Sequence, residues 1–186
     1  MSGTATVGED DRLRLFLALE LPDDVVAELV RWGEHLGARA NPARPVESFH
    51  VTLAFLGARP RSALERILRA LREEAAGTDP FQLEPVRYRE TRSVGMLVLA
   101  DPSGRATSLA SRLQGRLERF GLYTPERRPW LPHVTVLRFR GRPRLDPPLP
   151  GLGPFAPSGA AAFLSRLHPS GARYEVLESC SLGRVS

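Results

Sequence analysis

Hydrophobic positions along this chain follow two rhythms. Arg12 to Glu20 (Arg-Leu-Arg-Leu-Phe-Leu-Ala-Leu-Glu) is an apolar run bounded by charge, which predicts a strand. Phe49 to Gly57 and Pro132 to Phe139 are rich in Val, Leu and Phe and predict two more. Phe81 to Tyr88 and Val94 to Ala100 read as a further pair with a polar connection. Ala160 to Leu167 and Tyr174 to Leu182 read as a hairpin around Pro169-Ser170-Gly171. The second rhythm is helical. Pro22-Asp23-Asp24 opens a helix, with proline in the first turn and acids at the positive end of the dipole. Val25, Val26, Leu29, Val30 and Leu36 form its apolar face, and Gly37 is expected to end it. Ser62-Ala63-Leu64-Glu65 has the form of a capping box, and Leu64, Ile67, Leu68 and Leu71 keep i, i+3, i+4, i+7 spacing up to a stop near Gly77. A third helix is expected from Ala106 to Phe120, with Leu109, Leu113, Leu117 and Phe120 on one face and Gly121 as its cap. Gly141 to Pro157, rich in proline and glycine, predicts a long connection rather than regular structure.

The order is strand, helix, strand, helix, two strands, helix, strand, long loop, two strands. A helix precedes each of two similar strands, so the chain carries a weak internal repeat. The expected fold is α+β in two similar lobes, each an antiparallel sheet with helices, around a central cleft. Residues 1–11 read as a disordered polar tail, and 12–186 as a single bilobal domain.

The repeated strands carry the candidate chemistry. Both read His-x-Thr-x: His50-Val51-Thr52-Leu53 and His133-Val134-Thr135-Val136. Side chains two apart on a strand share a face, so His50 and Thr52 point one way while Val51 and Leu53 point the other. The same holds for His133 and Thr135. With four histidines and eight threonines in the chain, about 0.2 such motifs are expected by chance, and two arise on the order of one time in a hundred. Two imidazoles that titrate near neutrality can serve as an acid and a base. Two hydroxyls can donate to phosphoryl oxygens as these gather charge. The structural alternative is two core strands that each happen to carry a histidine. His35, on a helix, and His168, at a hairpin turn, read as ordinary surface or half-buried histidines, and Phe16 and Trp130 as packing residues that could instead stack a base.

Composition narrows the class. The hydrophobic share of 42% and charged share of 25% suit a globular chain. No apolar run reaches the ~20 residues a membrane span needs. The N-terminus has no signal-peptide core, and the one cysteine, Cys180, excludes an internal disulfide and reads as a packed thiol. A cytoplasmic monomer is expected. All 26 basic residues are arginine and the net charge is +5. The same chain has one Asn and one Ile among many Ala, Gly, Pro and Arg, the bias of a GC-rich coding sequence, so global charge says little about a polyanionic partner. Local placement says more: Arg127, Arg128, Arg138, Arg140, Arg142 and Arg144 crowd around the second motif. Arg138 lies three residues after Thr135. Strict alternation sends it to the opposite face, so it reaches the cleft only if the strand twists, bulges or ends.

The paired motifs resemble those of the two-histidine (2H) phosphoesterase superfamily, in its bacterial and archaeal RNA 2′,3′-cyclic phosphodiesterase branch, also called 2′-5′ RNA ligases. The resemblance rests on Arg14 to Pro22, on Phe49 to Gly57, on Arg128 to Arg138 with its trailing arginine, and on the hairpin from Ser165 to Tyr174. It covers nearly the whole chain after Asp11; Trp130 and the arginine-heavy segment after the second motif depart from the usual pattern. The resemblance implies metal-independent hydrolysis of RNA 2′,3′-cyclic phosphate ends to 2′-phosphomonoesters, with no cofactor, and 2′-5′ RNA ligation as a secondary activity. It implies His50 as proton donor, His133 as proton acceptor, and Thr52, Thr135 and Arg138 as substrate-binding residues. The near-symmetric motifs do not themselves separate the acid from the base. The competing readings are another phosphodiesterase of the superfamily, a metal hydrolase, and a non-catalytic RNA-binding module. A metal site would want a third ligand, for which Glu47 is the nearest acid.

Overall fold

The computed structural model describes residues 12–39, 44–46, 48–168 and 171–183. The expected tail, Glu47 and the hairpin residues Pro169 and Ser170 lie outside them. Eight strands and three helices follow in the order β1 (Arg12–Glu20), α1 (Asp23–Arg39), β2 (Arg44–Pro45), β3 (Val51–Pro60), α2 (Leu64–Ala76), β4 (Glu84–Glu90), β5 (Val94–Ala100), α3 (Arg105–Arg119), β6 (His133–Arg138), β7 (Gly159–His168) and β8 (Gly171–Cys180). The strands form one antiparallel sheet in the order β4-β5-β6-β3-β1-β7-β8, with β2 added to β6. The α+β expectation holds. The two lobes are halves of this single sheet, β4-β5-β6 and β3-β1-β7-β8. They meet where β6 pairs with β3 at one position, Val51 with Val134.

The helices bury the apolar stripes that their periodicity implies: Val25, Leu29, Trp32 and Leu36 on α1, Ile67, Ala70 and Leu71 on α2, Leu109, Leu113 and Leu117 on α3. Val30 and Phe120, expected inside, are more than one-third exposed. The helix before each motif packs on the other motif's strand: α1 lies on β2 and β6, and α3 lies on β3. The Trp32 indole on α1 donates to the Pro148 carbonyl at 3.0 Å, and the Gln114 amide on α3 donates to the Leu53 carbonyl at 2.6 Å. The two halves therefore interlock.

Three boundaries differ from the expected ones. The strand begun at the first motif does not end at Gly57. It runs to Pro60, because Gly57 adopts a left-handed φ of 67° and lets β3 bulge against β1. The expected capping box does not form: a 3-10 turn takes up Arg61–Ala63, Ser62 falls inside it, and α2 starts with no side-chain cap. Helix α1 passes through Gly37 to Arg39.

Candidate active site

Val51 and Val134 are both fully buried in the main core, on the helix side of the sheet. Alternation then sends their neighbours to the opposite face. The pairing is antiparallel, so His50 lies across from Thr135, and Thr52 across from His133. The two motifs thus interleave as a pair of His·Thr couples about the valine pair, and all four side chains are half-buried.

Bulges decide what joins them. On β6, Met96 pairs with Thr135 and Gly95 with Leu137, which leaves Val136 as an extra residue. Val136 and Leu137 are both fully buried, and Arg138 returns to the face of Thr135. The condition that alternation set for Arg138 is met by this bulge. On β3, Ala18 pairs with Thr52 and Leu17 with Ala54, so Leu53 is the extra residue. Leu53 and Ala54 are buried, and Phe55 emerges on the face of Thr52. Phe55 therefore stands three residues after Thr52 as Arg138 stands three after Thr135. The sequence reading missed Phe55, although the motif run contained it.

A cavity of about 370 Å³ gathers His50, Thr52, Thr135, Arg138, Phe55 and Tyr174. His133 lines a second, adjoining cavity that shares Thr52 and Phe55 with the first. His133 is nonetheless near enough to be one of the influences that lower the His50 pKa. The floor near His50 is a small apolar cluster of Phe16, Ala18, Ala161 and Phe163, separate from the main core. Phe16 and Phe163 pair across β1 and β7 and stack at 4.8 Å with 5° between planes. The His50 ring sits 4.8 Å from Phe16, 5.6 Å from Tyr174 and 5.8 Å from Phe163. Phe16, 3% exposed, is a wall of the histidine pocket rather than a free stacking platform. Tyr174, quoted only as part of the hairpin, belongs to the site; its place opposite Ser165 on β7 was not legible without the register.

This aromatic enclosure sets the state of His50. Its pKa falls from the ordinary 6.5 to about 4; burial is the main cause, followed by the Arg138 charge and then His133. The Ser48 backbone leans the other way and more weakly, without meeting hydrogen-bond geometry at Nδ1. That atom is buried with no partner among the described residues. His133 is held differently, its Nδ1 lying 2.8 Å from the Leu131 carbonyl oxygen. A carbonyl only accepts, so Nδ1 carries the proton and Nε2 of the neutral ring offers its lone pair. Trp130, half-buried, donates from Nε1 to the Thr52 carbonyl at 2.9 Å and so braces the first motif from the second.

The arginines near the second motif do not act as one patch. Arg142 donates to the buried Glu90 carboxylate at 3.2 Å, which also accepts from the Arg144 and Leu145 backbone amides and the Tyr88 hydroxyl. His35 and His168 are exposed, and neither lines either cavity. The Cys180 thiol is pushed up to about 11 by burial and by Glu178, which keeps it protonated and unreactive at neutral pH. Among the described residues no three His, Cys, Asp or Glu side chains gather around a common point. No described helix is long and apolar enough to cross a membrane.

Residues 21–171 match the model of the 2′-5′ RNA ligase superfamily. A curated protein from Thermus thermophilus named RNA 2′,3′-cyclic phosphodiesterase is 31% identical, over 91% of this chain and 90% of its own length. A crystal structure of a Thermus thermophilus protein superposes with a TM-score of 0.77 at 29% identity, covering 92% of this chain and 99% of the other. Escherichia coli LigT, solved with 3′-AMP, shares the fold at a TM-score of 0.76 and 24% identity, with 93% and 99% covered.

Proposed function

The chain belongs to the 2′-5′ RNA ligase superfamily and is a phosphoesterase of its two-histidine kind; from that premise we propose that it opens 2′,3′-cyclic phosphate ends of RNA to 2′-phosphomonoesters, with no metal ion. The observation that carries this reading is the interleaving of the two motifs. Across the Val51–Val134 pair each imidazole has the other motif's hydroxyl beside it. A phosphate over this seam meets a proton-transfer group on either side, as in-line displacement requires, and two hydroxyl donors for its non-bridging oxygens.

The rings' surroundings support a division of roles. His133, with Nδ1–H held by Leu131, turns an unprotonated Nε2 to an incoming water and takes its proton. His50 gives a proton to the departing O3′. It is neutral in the free site, because of its aromatic enclosure and Arg138. The cyclic phosphate brings a negative charge against it, which favours the imidazolium and raises its pKa. Substrate arrival therefore charges the acid. Arg138, on the same face as Thr135, offers a fork of donors to the phosphate and offsets its charge.

A short RNA ending in a 2′,3′-cyclic phosphate, incubated with the protein in EDTA, tests this. The expected product is a 2′-phosphate resistant to a 3′-phosphatase, absent with His50→Ala and with His133→Ala. A product that needs added divalent metal, or that survives both substitutions, overturns the reading.

A further inference from the structure

Thr52 stands at a weak point of its strand. Among the described residues the β3–β6 pairing is the single position Val51, one residue before it. On the β1 side the residue after it, Leu53, is the extra one of a bulge. A bulge interrupts the ladder, so strand pairing alone holds this stretch of backbone loosely. Two successive carbonyls here accept from side chains of other elements. Thr52 accepts from the Trp130 indole at 2.9 Å, and Leu53 from the Gln114 amide on α3 at 2.6 Å.

Trp130 has the form of a strut. Its root is fixed, because two residues on the Pro132 carbonyl accepts from the Leu99 amide of β5 at 2.9 Å. Between them, the Leu131 carbonyl accepts from His133 Nδ1 at 2.8 Å. Its tip is an indole N–H, which only donates, on a rigid ring with two side-chain torsions. The strut therefore runs from the segment that holds the base to the backbone of a residue that faces the phosphate. We infer that Trp130 is a positioning residue for Thr52: its N–H fixes the Thr52 backbone against the His133 segment, so that the Thr52 hydroxyl meets the non-bridging oxygen as charge develops there. This inference rests on the phosphodiesterase reading and deepens it.

The consequence is specific to one kinetic constant. A hydroxyl aimed at a non-bridging oxygen binds more strongly in the transition state than in the ground state. Misplacing it lowers kcat and leaves KM nearly untouched. A displacement of about 1 Å can cost on the order of 10²-fold. A ring that stacked a base would behave in the opposite way, and its loss would fall on KM.

The experiment follows hydrolysis of a short RNA ending in a 2′,3′-cyclic phosphate. It compares the wild type, Trp130→Phe, and a protein with benzothienylalanine at position 130. That isostere has sulfur in place of the indole N–H, so it keeps the ring and removes only the donor. Both changes are expected to lower kcat about tenfold or more and to hold KM within about twofold. In a Thr52→Ala background the isostere should cost less than about threefold, because the hydroxyl it would misplace is gone. Urea midpoints are measured on every protein, and the isostere carries the test if Trp130→Phe does not fold. Unchanged kcat with the isostere overturns the inference. So does a loss confined to KM, or the full loss repeated in the Thr52→Ala background. A wild type that does not hydrolyse the RNA fails at an earlier step, overturning the phosphodiesterase reading and this inference with it.

Discussion

Val51 and Val134 form the one paired position between β3 and β6 among the described residues, and both are fully buried. Everything at the site is counted from this pair. One residue away on the opposite face come the His·Thr couples, and three further along each strand, past a bulge, come Phe55 and Arg138. The seam is thus a pseudo-symmetric frame with one asymmetric position, an aromatic ring on one side and a cation on the other.

In the free protein the His50 ring is expected to titrate near pH 4 by NMR. Inorganic phosphate should move the midpoint up, because an anion at the seam favours the imidazolium. Arg138→Gln should also move it up, since a positive neighbour is removed. A midpoint near 6.5 that does not respond to phosphate would contradict the enclosure described for His50.

The same shift predicts how stability depends on pH. Burial holds the folded pKa below the unfolded 6.5, so the unfolded chain binds the extra proton first. The contribution is complete above about pH 6.5 and is lost as pH falls toward about 4. At about 1.36 kcal/mol per unit the gap is worth about 3 kcal/mol. Urea titrations should show His50→Gln flattening the curve across that window.

Arg138→Ala should lower kcat/KM for a cyclic-phosphate substrate by about 10–100-fold, the range of a lost charge-assisted contact. Arg138→Lys should recover part of it as a point charge without the fork. Steady-state kinetics on the three proteins checks this. Equal activity in all three would mean that Arg138 only borders the cavity.

Glu90 anchors the segment that follows the second motif. Its carboxylate is almost wholly buried and accepts from Arg142, the Arg144 and Leu145 amides and Tyr88. Glu90→Ala strands these donors and should destabilise the fold by about 3 kcal/mol or more. Gly95→Ala strikes the same assembly from beneath, since a Cβ there would stand 2.2 Å from the Tyr88 hydroxyl oxygen. Denaturation midpoints, with limited proteolysis near Arg142, measure both.

Much of this arrangement was legible in the chain. The two His-x-Thr runs declared their strands and which side chains share a face, because alternation is a property of the backbone; that β3 and β6 pair with each other was not legible. Arg138 was legible only as a condition: the bulge at Val136 depends on how β5 registers against β6, which no local pattern states. Phe55 was hidden for the same reason by the bulge at Leu53. Tyr174 needed the β7–β8 register to come near His50. Ser62 misled because a capping box is defined by spacing, whereas its operation depends on where the preceding strand ends.

The crossed packing of α1 and α3 makes a statement about biosynthesis. Strand β6 is the bridge between β5 and β3, and β7 covers the other side of β1. A nascent chain that has reached Ala100 holds β1, β3, β4 and β5, yet the strands that would join or flank them are still unmade. Helix α1 meanwhile waits for β6. Closure is deferred until the last third of the protein emerges, so the ribosome-bound chain carries unpaired strand edges for most of its synthesis. Two fragments divided after Ala100 should each be unfolded alone, and should regain the fold only when mixed.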